Sequence, residues 1–397
     1  MRIERIDVQV LVWSLHDPPF WMSLVPATTR SELVVRVHTD EGITGIGHVD
    51  SGTAYRTDAQ GDLRAAGSAL VVQKEYAHML AGEDPLDNER LWQKMFASTY
   101  RKGWSLNGWT LRDFMAAIAA VDMALWDVKG KAVGLPVYKL LGAYTDRVRC
   151  YVAGGYYREG KTVDHLAREC RRYVDDGFKA IKMRVGGASV EEDVVRVKAV
   201  REAVGPDTKL MLDANGAYDT ETAIRAARAY APLNIFWFEE PVHWYDEVDG
   251  ARRLTEATGI PIATGEHCRN RWEARHLIMH SGLKYMQYDC MMSGGPTEWL
   301  KVAALCSSFG IPMAPHHGPN IHAHLVAGVP NGLFVEYFPN PRDYKTKEDL
   351  FPVRYDLMRE AFSVFPGIVD GDMVLSDRPG WGFELDEDVV QKRLIPM

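Results

Sequence analysis

Cysteine is scarce in this chain. The five residues (Cys150, Cys170, Cys268, Cys290 and Cys306) are scattered over 397 positions, odd in number and without a CxxC pair. That usage excludes a disulfide framework or a cysteine zinc site and predicts reduced thiols in a cytoplasm. Excess positive charge is lacking too. Lys and Arg number 46 against 54 Asp and Glu, for a net charge of −8, and no dense basic cluster occurs, which excludes a nucleic-acid partner. No apolar run approaches a transmembrane length, so no membrane partner is expected. The first residues, Met1-Arg2-Ile3-Glu4-Arg5-Ile6-Asp7, alternate in charge and lack a signal-peptide core. The apolar fraction of 46% and charged fraction of 25% are ordinary, which makes a sizeable core expected and disorder not.

What is present is a series of short apolar runs, each closing on an ionisable residue. They are Ala180-Ile181-Lys182-Met183-Arg184, Leu210-Met211-Leu212-Asp213, Ile235-Phe236-Trp237-Phe238-Glu239 and Ile260 to Glu266. Tyr285 to Asp289, Ile311 to His316 and Leu333 to Glu336 complete the series. The end residues recur roughly every 20 to 30 positions, the length of one βα unit, with helix-like segments between. Strands that all end on charged or titratable groups describe a (β/α) barrel with its site at the C-terminal rim.

The flanks differ. Ile3–Trp13, Glu32–His38 and Ile43–His48 alternate as the strands of a meander, with Thr39-Asp40-Glu41-Gly42 as a turn. Between the first two lies a loop, Ser14 to Arg30, with Pro18, Pro19, Phe20, Trp21 and Pro26. Phe20 and Trp21 are candidates for a substrate lid; the alternative is a loop packed on its own domain. Leu111 to Lys131 reads as a helix opened by Thr110 and ended by Gly134-Leu135-Pro136. After Glu336 the repeat is lost, and the tail from Leu350, with Pro379-Gly380-Trp381-Gly382, is expected to fold back onto the meander. The predicted class is therefore α/β, a modified TIM (β/α)7β barrel under an α+β capping domain. The expected divisions are 1–134 for the cap, 135–345 for the barrel and 346–397 for the tail.

At the rim, Asp213, Glu239 and Glu266 would end consecutive strands and converge. Bare carboxylates that close repel one another unless a cation lies among them, and oxygen-only ligands favour Mg2+. Salt bridges to neighbouring Lys or Arg are the alternative. Glu240 would point to the other side of its strand as a supporting acid. Lys182 and Arg184, at i and i+2, share a face and could hold a substrate carboxylate, although only lysine can lose its proton. Asp289 could orient His316 for proton transfer, with one of His316 and His317 facing the site. Glu336 could hydrogen-bond an enediolate oxygen. The assembly suits abstraction of a proton α to a carboxylate.

The chain resembles the enolase superfamily, mandelate racemase-like subgroup, along nearly its whole length. The resemblance rests on Ala119-Ala120-Val121-Asp122-Met123-Ala124-Leu125-Trp126-Asp127, Lys129-Gly130-Lys131, Leu140-Leu141-Gly142, Asp213-Ala214-Asn215, Glu239-Glu240-Pro241, Gly265-Glu266-His267, and Asp289 with His316. It implies Asp213, Glu239 and Glu266 as Mg2+ ligands, and His316 as general acid/base oriented by Asp289. It further implies Glu336 as an electrophilic hydrogen-bond donor, a lid near Phe20 and Trp21, and a homo-oligomer (dimer or octamer). One departure stands out: the subgroup's Lys-x-Lys is here Lys182-Met183-Arg184. That favours resemblance to the acid sugar dehydratases, which turn an aldonate or aldarate into a 2-keto-3-deoxy acid. A racemase, epimerase or lactone cycloisomerase, with Lys182, Tyr151 or Tyr156 as second base, is the alternative within the scaffold. A catalytically silent barrel that binds acid sugars is the alternative outside it.

Overall fold

The computed structural model describes residues 1–14, 20–24, 26–27, 29–50, 54–100, 107–339 and 357–397. Pro18, Pro19, the 345/346 division and the start of the tail at Leu350 lie outside the described residues.

Strands β1 (Ile3–Ser14), β2 (Thr29–Thr39) and β3 (Thr44–Asp50) form an antiparallel meander. Helix α1 (Leu111–Val133) lies across it, opened by a Thr110–Asp113 capping box and closed by Gly134 at φ 69°. The helix approaches β3 so closely that a Cβ on Gly47 would stand 2.0 Å from the Ala120 carbonyl. Gly45 and Gly47 therefore face an alanine-rich stripe because no side chain fits between the two backbones. The motif acids of α1 are structural fasteners. Asp122 accepts bonds from Thr297 N and Oγ1, both at 2.8 Å, and burial pushes its carboxyl up to about 7. Asp127 accepts from Ile46 N, Trp381 N and Lys131 Nζ.

The barrel follows. Its strands are β4 (Arg147–Gly154), β5 (Ala180–Arg184), β6 (Lys209–Asp213), β7 (Ile235–Glu239), β8 (Ile262–Thr264) and β9 (Tyr285–Met286). The seventh stave, expected as a strand, is reduced to Met313, which bridges Met286 on one side and Gly332 on the other. Strand β10 (Val335–Tyr337) pairs in parallel with β4, Val335 opposite Cys150, and closes the ring. Helices α2 (Val163–Asp175), α3 (Val190–Val204), α4 (Thr220–Tyr230), α5 (Glu247–Thr258), α6 (Arg271–His280), α7 (Gly295–Ser308) and α8 (Pro319–Ala327) make the crossovers. This is the (β/α)7β order.

The tail reaches further than the meander. A strand at Asp372–Val374 pairs antiparallel with the start of β4, Trp381 Nε1 donates to Met123 O at 2.9 Å, and Ile395 N donates to Val10 O. It thus joins the barrel foot, the cap helix and the cap sheet. All five cysteines are free and buried. Among the described residues no helix is long and apolar enough to cross a membrane.

Candidate active site

Strand alternation sorts the barrel interior into two layers. Ala180, Met211, Trp237, Ala263, Ala314 and Phe334, with Tyr151, fill the lower one. Its aromatic rings meet edge to face: Tyr151 on Trp237 with centroids 5.2 Å apart, and Trp237 on Phe334 at 6.1 Å. Two residues further along five of these strands stand Lys182, Asp213, Glu239, His316 and Glu336, on the same inward face.

In that upper layer Lys182, fully buried, contacts Glu239, lies 2.8 Å from Glu336 Oε1 and 3.3 Å from Asp213 Oδ2. Burial alone would push its ammonium down, but the carboxylates of Glu239 and Glu336 override this and raise it above its ordinary range. Arg184 is locked as well. Its guanidinium meets the Asp213 carboxylate, donates to Asn215 Oδ1 at 2.9 Å, and donates to Tyr156 OH at 3.0 Å. Trp237 Nε1 donates to Glu239 Oε2 at 3.1 Å, tying the lower layer to the upper.

The three carboxylates expected as one ligand set are all buried but unevenly engaged. Lys182 bridges Asp213 and Glu239. Glu266 instead stands with Glu240 and His267, their ligand atoms within 4.8 Å of one another. Glu240 departs from the expectation that it faces away. Its backbone is left-handed, φ 39°, and its Oε1 lies 3.6 Å from His267 Nε2. Both Glu240 oxygens and Glu266 Oε2 are buried without a hydrogen-bond partner among the described residues. Burial, then the Glu239 charge, holds the Glu266 carboxyl well above its usual range. Orphaned carboxylate oxygens in such a cluster fit a hard divalent cation, which would relieve both the desolvation and the repulsion.

His316 Nδ1 lies 3.0 Å from Asp289 Oδ2, and its Nε2 3.8 Å from Glu266 Oε1. Asp289 Oδ1 already accepts Met291 N at 2.7 Å. Burial pushes the imidazole well below its ordinary range and the Asp289 carboxyl up. Burial favours the neutral form of the resting imidazole, with Nδ1 toward Asp289 and Nε2 toward Glu266 and the cavity.

Both members of the histidine pair line the cavity, contrary to the expectation that only one would. His317 has φ 53°, which breaks strand alternation, and its ring stacks on His316 with centroids 4.1 Å apart. Its backbone N–H donates to Glu336 Oε2 at 2.8 Å. Burial would raise the Glu336 carboxyl, but the Lys182 ammonium first, with the Arg184 guanidinium, outweighs it and lowers it to about 2. In this arrangement Glu336 is an acceptor, not the hydrogen-bond donor that the resemblance implies.

The cavity above measures about 370 Å3. Phe20 and Trp21 do not line it. They form a two-residue strand that pairs with Tyr157–Arg158, Trp21 stacked on Tyr157 at 6.3 Å. This ribbon swings Met22, Ser23 and Leu24 over the cavity, and Ser23 Oγ donates to Val185 O at 2.7 Å. Arg30, Asp50 and Arg112 of the cap, and Trp244, His267 and Met292 of barrel loops, complete the wall. Sequence reasoning missed these. Only His267, next to Glu266, carried a local signal.

Two family models match the chain: "Mandelate racemase / muconate lactonizing enzyme, N-terminal domain" over residues 5–142 and "Enolase C-terminal domain-like" over residues 165–389. Arabinonate dehydratase of Saccharolobus solfataricus is 35% identical over 81% of this chain and 82% of its own. D-galactarolactone cycloisomerase of Agrobacterium fabrum is 30% identical over the whole of both. The solved structure of L-talarate/galactarate dehydratase from Salmonella typhimurium LT2, liganded with Mg and L-lyxarohydroxamate, superposes with a TM-score of 0.83. It is 30% identical, over 99% of this chain and 93% of that one. Domain for domain, the chain belongs to the enolase superfamily, in its mandelate racemase/muconate lactonizing enzyme branch.

Proposed function

We propose that the protein is a Mg2+-dependent sugar-acid dehydratase that converts an aldonate or aldarate to a 2-keto-3-deoxy acid. The observation that carries this is the imidazole of His316, held through Nδ1 by buried Asp289 with its Nε2 facing Glu266 of the buried carboxylate cluster. Asp213, Glu239 and Glu266 would hold the ion, with Glu240 beside them. Bound there, it would supply Lewis-acid stabilisation of an enediolate.

The chain's own groups do the rest. His316 Nε2 takes the α proton as general base, and Asp289 stabilises the imidazolium that forms. The same imidazolium then gives its proton to the departing β-hydroxyl, so the α C–H and β C–O bonds break, water leaves, and the enol tautomerises to the ketone. The Lys182 ammonium, held by Asp213, Glu239 and Glu336, supplies fixed positive charge beside the developing oxyanion. Arg184, fixed by Asp213, Asn215 and Tyr156, keeps the wall of the site cationic.

Racemisation needs a second base on the opposite face. Tyr151 and Tyr156 are both pushed above their ordinary range by burial, and Lys182 is raised by its carboxylates. None is a ready base, which favours one-base elimination. Cycloisomerisation of a lactone is the second reading, favoured by the Agrobacterium relative. The test is an acid sugar library with Mg2+ in deuterated buffer. Formation of a 2-keto acid from an open-chain acid is the expected result; α-hydrogen exchange without keto product, or a keto acid formed only from lactones, would overturn it.

A further inference from the structure

The guanidinium of Arg112 sits on the first turn of the cap helix, at the mouth of the cavity and beside a second groove of about 590 Å3. The other arginines of the cavity wall are matched. Arg30 is 2.6 Å from Asp50 Oδ2, and Arg184 meets Asp213. Arg112, among the described residues, has no carboxylate within ion-pair distance; its one contact is Nη2 to Met292 Sδ at 4.0 Å. An arginine at a cavity mouth without an internal anion is available for one carried by a ligand.

Its position along the cavity matters as much as its charge. Glu266 lies 3.4 Å from His267 Nε2, and His267 and Arg112 together line both the cavity and the groove. The order across the site is carboxylate cluster, His267, Arg112. Trp244, its ring 4.1 Å from His267, and Met292 line both the cavity and the groove and give a carbon chain a surface to lie on.

Resting on the sugar-acid reading above, we propose that Arg112 binds the far carboxylate of an extended substrate, which makes the preferred substrate a diacid, an aldarate, rather than an aldonate. One end of the acid would lie among the buried charges of the barrel, and the other would meet the guanidinium supplied by the cap. The relatives span both classes, so kinship alone does not choose between them.

The test uses the full-length, Mg2+-loaded protein carrying His316→Asn, so that bound acids are not consumed. Calorimetry compares six-carbon pairs that differ only at the far end: galactarate with galactonate, glucarate with gluconate, mannarate with mannonate. At least one diacid should bind about tenfold to a hundredfold more tightly than its partner. Adding Arg112→Gln should erase that margin and leave the monoacid unchanged; Arg112→Lys should keep part of it. Arg112 is exposed, so these changes leave the fold intact. Equal binding of both members of every pair, or a margin that survives Arg112→Gln, overturns the proposal alone. Binding of no acid at all overturns the sugar-acid reading and the proposal with it.

Discussion

The two layers inside the barrel are built on the same strands, yet two residues of chain separate opposite physics. The lower layer, Met211, Trp237, Ala314 and Phe334 among others, is apolar and excludes water by filling the space with rings. The upper layer, Asp213, Glu239 and Glu336 on those strands with His316 half-buried beside them, is ionisable, and its buried carboxylates are tolerable only because Lys182 and Arg184 neutralise much of them. The lower layer makes the floor rigid and dry. The upper layer, standing on that floor, keeps its charges strong because little solvent screens them. Stability and chemistry are therefore separable by layer.

The sharpest way to break this division is at His316. His316→Asn should lower turnover by about 10^2- to 10^4-fold, the range of general acid–base catalysis, while the thermal midpoint stays close to that of the parent. A variant that keeps full activity removes the imidazole from the mechanism. In the floor the signs reverse. Trp237→Ala should destabilise the fold by about 3–5 kcal/mol, read by urea unfolding. An unchanged midpoint would show that the aromatic layer is not a packed core. Its loss of the Nε1 bond to Glu239 would also loosen the layer above.

Next in size is the response to metal. At a hundred times its dissociation constant, Mg2+ should stabilise the protein by about 2.7 kcal/mol, and Glu266→Gln should abolish most of that shift in a melting experiment. A shift that persists in the variant would move the ion elsewhere. The smallest effect lies outside both layers. His324 accepts Tyr138 N on Nδ1 and donates from Nε2 to Trp381 O, and burial lowers it to about 3. Its folded-state affinity for protons is thus below that of the unfolded chain. Stability is lost as pH falls from about 6.5 towards 3, at no more than about 1.4 kcal/mol per pH unit for this residue. His324→Gln should flatten the dependence of the melting midpoint on pH between 6.5 and 5; an identical slope would refute the assignment.

How much of this was legible from the chain depends on how local each feature is. Strand ends such as Asp213, Glu239 and Glu336 are written in runs of four or five residues, and their inward direction follows from alternation. The helix with its Thr110 cap and Gly134 stop is equally local. Glu240 and His317 were misjudged because alternation assumes extended backbone, and both adopt positive φ just past a strand end. The cavity wall was invisible for another reason. Met22 to Leu24, Arg30, Asp50 and Arg112 reach the site through the docking of the cap on the barrel, and no spacing in the sequence encodes that docking. The lid residues were placed two positions early, since the aromatic pair that attracted notice is the anchor rather than the cover.

That anchor has a kinetic meaning. Phe20 and Trp21 are held by main-chain pairing with Tyr157 and Arg158, by the edge-on contact of Phe20 with Tyr156, whose hydroxyl accepts from Arg184, and by the Ser23 bond to Val185 O. Beneath this segment Lys182, Glu239 and Glu336 are paired with one another and not with it. On the proposed sugar-acid reading, the contacts of this segment with Tyr156, Tyr157, Arg158 and Val185 would govern how readily the chamber opens, separately from the charges below.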